Sequence, residues 1–226
     1  MSAAVQHDEL QRLGRLDACA LSDALDKLGL PGCVTGLAPL TGTRKIHGRV
    51  HTLRLVAKDA PRPAASGPPR HLGAEAIARC AAGEIIVVEQ CSGIDAGSWG
   101  GILSLGAKLK GVAGVIADGP VRDVDEAREL GFPIYARGTT ARTARNRIVE
   151  FGTDVPVSIG DVVVEPGDLV LADGSACVFL KAAGASRILD AAEEIAAREA
   201  AMQKALLAGE AIGDVMGASY EHMLRR

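Results

Sequence analysis

Residues 112–136, VAGVIADGPVRDVDEARELGFPIYA, decide how this chain is read. Val112 to Ala117 is a short apolar run with the character of a buried strand. Asp118-Gly119-Pro120 carries the residues of a turn. Val124 to Leu130 reads as a short helix stopped by Gly131, and Phe132 to Ala136 as a second strand. A strand, turn, helix, strand order implies neighbouring parallel strands joined by a right-handed crossover.

Working outward, Gly97-Ser98-Trp99-Gly100-Gly101 opens a helix that runs to about Lys110, with Ser98 as N-cap and Gly111 as its stop. Glu84 to Glu89 is predicted as a buried strand, residues 71–82 as a helix, and Gly48 to Val56 as a strand. Residues 8–28 carry apolar positions at helical spacing and read as two short helices. Ala57 to Arg70 holds Pro61, Pro63, Pro68 and Pro69 and reads as a surface loop. Beyond Asn146 the predicted strands are Val155–Val157, Asp161–Val164, Leu169–Ala172 and Ala176–Leu180. An Ala/Glu-rich helix, about 183–207, follows. Because strands and helices do not alternate to the end, the expected class is α/β, a layered sandwich with mixed sheets, formed as one domain over residues 1–226.

The chain has 226 residues, of which 48% are hydrophobic and 23% charged, enough for a substantial core under an ordinary polar surface. Only 3% are aromatic and the net charge is -3, so neither stacking platforms nor a basic footprint for nucleic acid is present. Cys19, Cys33, Cys80, Cys91 and Cys177 show no C-x-x-C spacing and are expected to be reduced thiols filling the core. The opening residues lack a basic segment followed by an apolar one, and no stretch is long enough to span a bilayer. A cytoplasmic protein without membrane partners is expected.

The residues suited to chemistry concentrate in Ala117-Asp118-Gly119-Pro120-Val121-Arg122-Asp123, just past a predicted parallel strand, where crevices form in open α/β sheets. The Asp123 carboxylate suits a hard divalent cation, and the Arg122 guanidinium suits a carboxylate or a developing enolate. The alternative is structural: Asp123 with Glu126 also spells a capping box for the helix at Val124. Gly100 and Gly101 precede a helix whose first amides, at Ile102 and Leu103, would face an anion. The five histidines lack zinc-site spacing, no serine sits in G-x-S-x-G, and no dinucleotide or P-loop fingerprint occurs.

Taken together these pieces resemble the RraA-like family over roughly residues 10–210. The resemblance is carried by Ser22 to Gly29, Gly48-Arg49-Val50-His51-Thr52, Trp99 to Leu103, Ala117 to Asp123, Val155-Pro156-Val157, Val164 to Asp168 and Ala172-Asp173-Gly174. That family joins the regulator of ribonuclease E activity, RraA, to metal-dependent 4-hydroxy-4-methyl-2-oxoglutarate aldolases. The resemblance implies an α/β/β/α sandwich like that of swivelling domains. It also implies a homotrimer or homohexamer with the site at a subunit interface, where the C-terminal helix would pack. Carried over by position, Asp123 would hold Mg²⁺ or Mn²⁺, and Arg122 would stabilise the enolate of a small 2-oxo acid. Gly100, Gly101 and the Ile102 and Leu103 amides would bind the substrate carboxylate. The resemblance also places an acidic residue twenty-one positions before the Arg, where this chain has Gly101. Asp95, just upstream, would be the substitute, and Glu193, Glu194 and Glu199 on the terminal helix are candidates for acids contributed by a neighbouring subunit. The competing readings are a non-catalytic binding protein and a different reaction on the same scaffold.

Overall fold

The computed structural model describes residues 3–42, 45–63 and 71–217. Two helices, α1 (Ala3–Arg15) and α2 (Ala18–Leu28), lead into two brief strands, β1 (Cys33–Val34) and β2 (Ala38–Pro39), and the long strand β3 (Ile46–Ala57). Three crossovers follow: α3 (Ala74–Arg79) to β4 (Ile85–Glu89), α4 (Gly101–Lys110) to β5 (Gly114–Val121), and α5 (Val124–Glu129) to β6 (Ile134–Thr139). The second half holds β7 (Ile148–Thr153), β8 (Val157–Ile159), β9 (Val162–Val164), β10 (Leu169–Ala172) and β11 (Cys177–Leu180). The helices α6 (Ala185–Leu207) and α7 (Ile212–Val215) close the described part.

The strands run in the order β1-β11-β10-β3-β4-β5-β6-β2, with β7 also on β3 and a separate β8–β9 hairpin. Pairings β3–β4, β4–β5 and β5–β6 are parallel, and the other pairings are antiparallel. The sheet is mixed, as the sequence predicts. Its two terminal strands, β1 and β2, are separated by only three residues of chain, so the sheet must curl to bring its ends together.

Strand alternation sorts the core into layers. In β4, Ile86 and Val88 face α3, α4 and α5, while Ile85 and Val87 point the other way. In β10, Leu169 and Leu171 pack under α1, α2 and α6, while Val170 and Ala172 meet Ile85 and Val87 in the middle. Both strands are buried on both faces, which is why they read as unbroken apolar runs. The result is helices, sheet, sheet, helices. Among the described residues, no helix is long and apolar enough to cross a membrane.

Several local expectations need correction. Asp118-Gly119-Pro120 is not a turn: β5 continues through it to Val121, with an extra residue accommodated between Ala117 and Pro120. A bulge tolerates a proline inside a sheet because the ladder is already interrupted there. The helix expected over 71–82 is only Ala74–Arg79. Strands β1, β2 and β7 are additional. Of the cysteines, Cys80 and Cys177 are buried, but Cys19 and Cys91 are exposed and fill no core. In the loop expected at 57–70, Ala57 still belongs to β3, and residues 64–70 lie outside the described ones.

The bulge turns the Asp118 carboxylate into the protein, where it accepts from Arg137 Nε and the Gly160 amide, each at 2.6 Å. Burial alone would raise this carboxyl, but the Arg137 and Gly160 hydrogen bonds outweigh it and hold it below its ordinary value. A carboxyl depressed in the folded state stabilises the fold above its unfolded value, and that contribution is lost as pH falls through the folded one. Asp118→Asn is therefore expected to cost on the order of 2 kcal/mol at neutral pH. It should also flatten the acid limb of a stability–pH curve followed by urea unfolding.

Candidate functional site

Two helix beginnings converge at the carboxyl end of β4 and β5. The segment entering α4 lies along the end of β5: Ser98 N–H donates to Pro120 O at 2.8 Å, and Arg122 N–H donates to Trp99 O at 2.9 Å. Ser98 Oγ also donates to Pro120 O at 2.9 Å, so Ser98 anchors the segment and does not cap the helix. The α4 N-cap is Gly100, which has no side chain to offer.

The cap comes from across the site. Gly101 N–H donates to Asp123 Oδ2 at 3.0 Å, and Arg122 Nε lies 3.3 Å from Asp123 Oδ1. Asp123 has a left-handed backbone, φ 55° and ψ 40°, which an L-residue other than Asn or Asp adopts with difficulty. That conformation turns its carboxylate toward α4, away from its own helix. The capping box read from Asp123 and Glu126 is not formed: the Asp123 side chain makes no cap bond to α5. A β-carbon on Gly100 would lie 2.8 Å from Asp123 Oδ2 and 3.2 Å from Arg122 Cγ, so a side chain there would push against this pair and glycine leaves α4 room to approach it.

Gly100, Gly101, Ile102, Leu103, Arg122 and Asp123 all line one cavity of about 160 Å³. This is smaller than the roughly 300–1,000 Å³ that drug-sized ligands occupy, and it suits a molecule of a few heavy atoms. Arg122 and Asp123 are each about one-third exposed. The Ile102 and Leu103 amides belong to the first turn of α4, where intrahelical bonding leaves N–H groups free for an anion. His71, Thr143 and Ala144 complete the wall, and no sequence signal pointed to them. A second, open depression shares Arg122 and Asp123 with this cavity and is also lined by Glu126, Arg128 and Thr139 to Ala141.

A model of the RraA-like family, described as Aldolase/RraA, matches residues 18–179. The chain belongs to the RraA-like family. A putative 4-hydroxy-4-methyl-2-oxoglutarate aldolase of Halalkalibacterium halodurans is 27% identical over 203 residues, covering 88% of this chain and 89% of that protein. Protein DlpA of Legionella pneumophila is 28% identical over 171 residues, 76% of this chain. The chain spans only 27% of DlpA, and so corresponds to one part of that longer protein. Among solved structures, Streptomyces coelicolor RraAS2, titled an unusual member of the RNase ES inhibitor RraA protein family, superposes with a TM-score of 0.74. It is 28% identical, covering 87% of this chain and 96% of that one.

In this RraA-like chain the other acids considered for the site stand outside the cavity of their own subunit. Asp95 pairs with Arg142 at 3.2 Å and does not line the cavity. Glu193 pairs with Arg12 and Glu194 with Lys27, tying α6 to α1 and α2 in the opposite helical layer. A further polar cluster, invisible to sequence spacing, joins His51, Cys80 and Glu84. Both His51 ring nitrogens are engaged, by Asp154 at 2.8 Å and Glu84 at 2.7 Å. Cys80 lies buried beside them, and burial pushes its thiol up to about 12. This cluster reads as a tie between β3, β4 and the β7–β8 loop.

Proposed function

We propose that this RraA-like chain is a divalent-metal-dependent carbon–carbon lyase acting on a small 2-oxo acid through a pyruvate-type enolate. The observation that carries the reading is the Arg122–Asp123 pair, held by a left-handed aspartate and a close glycine approach beside a small cavity. The relatives named as aldolases support it.

The donor set fits Mg²⁺ or Mn²⁺. The Asp123 carboxylate lining the cavity offers hard oxygen ligands, and Mg²⁺ characteristically takes one or two carboxylates and keeps several waters. Asp123 would hold the ion, which when bound supplies Lewis-acid polarisation of the 2-oxo group. The chain's own groups do the rest. The Ile102 and Leu103 amides receive the substrate carboxylate, and the α4 dipole favours that negative charge. The Arg122 guanidinium faces the 2-oxo oxygen and stabilises the negative charge that develops there as the C–C bond breaks. Because the positive groups are fixed before reaction, no reorganisation is needed when the charge appears.

A homo-oligomer, trimeric or hexameric, belongs to the same proposal. Ile102, Leu105 and Leu109 share one exposed apolar side of α4 beside the cavity. The decisive experiment measures pyruvate release from oxaloacetate with Mg²⁺ or Mn²⁺ and with EDTA. Turnover above the metal-only rate that EDTA abolishes is the expected result. A rate equal to the metal-only control overturns the lyase reading.

A further inference from the structure

The space left by the glycine at position 101 is filled from another helix. A β-carbon built on Gly101 would overlap Glu126 Oε2; it would also stand 2.9 Å from Glu126 Cδ and 3.2 Å from Asp123 Cβ. The Glu126 carboxylate therefore occupies the volume in which a side chain at position 101 would begin. A side chain at position 101 would have to displace the exposed Glu126 carboxylate from this place.

Two further observations show that this carboxylate is available for chemistry. Glu126 lies in the first turn of α5, three residues after Asp123, and both side chains meet α4 at Gly101. Glu126 also lines the depression that Arg122 and Asp123 border. Among the described residues, no hydrogen bond or ion pair engages its carboxylate, although Arg122 and Arg128 are close neighbours along the chain. A structural acid at a helix start would be spent on backbone amides. This one is not.

We infer that Glu126 is the proton-carrying carboxylate of the site, standing in from α5 for the side chain that position 101 lacks. The inference rests on the lyase reading. In aldol cleavage, the hydroxyl proton on C4 of the substrate passes to Glu126, directly or through one water, as the C3–C4 bond breaks. The electron pair of that bond moves into C2–C3 and out to the 2-oxo oxygen, leaving the pyruvate enolate and a carbonyl on the departing fragment. Glu126 then returns the proton to C3 and the methyl of pyruvate forms. One proton is taken and one returned, and no redox partner is required. Run backwards from pyruvate, the same residue removes and replaces a methyl proton.

Exchange of the pyruvate methyl protons in D₂O, followed by proton NMR with Mg²⁺, tests this without knowledge of the full aldol substrate. The expected result is exchange by the wild type that Glu126→Gln lowers at least about a hundredfold. Mn²⁺ affinity, measured by EPR, should stay within about threefold of wild type, since the proton carrier need not be the ligand. The double variant Gly101→Asp/Glu126→Ala, which moves the acid back, should recover much of the exchange. Exchange by Glu126→Gln within threefold of wild type overturns the inference. So does loss of Mn²⁺ binding in that variant, which would make Glu126 a ligand. A wild type that decarboxylates oxaloacetate but exchanges no pyruvate protons removes the Glu126 role alone. A wild type that does neither removes the lyase reading itself.

Discussion

Asp123→Ala is expected to reduce metal-dependent pyruvate release from oxaloacetate by on the order of a thousandfold, which is several kcal/mol of lost transition-state stabilisation. The alanine variant alone would be ambiguous, because Asp123 also accepts the Gly101 amide at 3.0 Å and sits at φ 55°. Alanine loses the cap, worth about 1 kcal/mol, and tolerates the left-handed backbone poorly. Asp123→Asn separates the two roles. Asparagine enters the left-handed region as readily as aspartate, and its carbonyl oxygen still accepts the Gly101 N–H. Its neutral amide is a poor ligand for a hard divalent ion. The asparagine variant should therefore unfold in urea within about 1 kcal/mol of wild type. It should lose turnover nearly as completely as the alanine variant, and Mn²⁺ binding by at least tenfold. An asparagine variant that keeps both turnover and Mn²⁺ affinity would remove Asp123 from the metal and leave it a helix cap.

The crossovers were legible because each has its own period. The apolar runs 85–88 and 115–117 can satisfy both faces of a strand only inside a layered fold, and Gly111 and Gly131 stop their helices where helix-terminating glycines should. What stayed hidden depends on distant partners. Strands β1 and β2 are two residues each and exist only through pairing with β11 and β6. Strand β7 is half-buried along most of its length, without the alternation that marks a strand, and is fixed by its antiparallel partner β3. The Asp118-Gly119-Pro120 stretch has the composition of a turn, and only the ladder on either side turns it into a bulge. The same division holds at the site. The order of residues along β5 and the resemblance to a family brought Arg122, Asp123 and Gly100 to Leu103 to one place. The Glu126 carboxylate over Gly101 could not be read, because it depends on the direction of a side chain from a helix that sequence treats as a neighbour of Asp123 only. The helical spacing of Asp123 and Glu126 was the available signal, and it was absorbed by the capping-box pattern.

Trp99→Ala is expected to cost about 3–5 kcal/mol, a large share of the roughly 5–15 kcal/mol that holds a domain together. Trp99 is 1% exposed, and packs with Leu53, Leu103 and Ala107 under the glycine that starts α3. Its indole N–H donates to Ser104 Oγ at 3.1 Å, and that hydroxyl donates to Gly100 O at 2.9 Å, so the ring props the first turn of α4 from beneath. Its carbonyl meanwhile accepts the Arg122 N–H. Truncation leaves a cavity and frees the very turn whose amides face the proposed substrate. Trp99→Phe keeps most of the bulk and loses one neutral hydrogen bond, about 1 kcal/mol. Urea unfolding followed by far-UV circular dichroism orders the three proteins without relying on the lost indole. If packing positions the site, Trp99→Phe should remain folded at low urea while KM for oxaloacetate rises, because the amides at 102 and 103 lose their support. A Trp99→Ala cost below about 1 kcal/mol would mean that the backbone bonds of Ser98 and Arg122 hold the segment unaided, and that the site is rigid for a different reason.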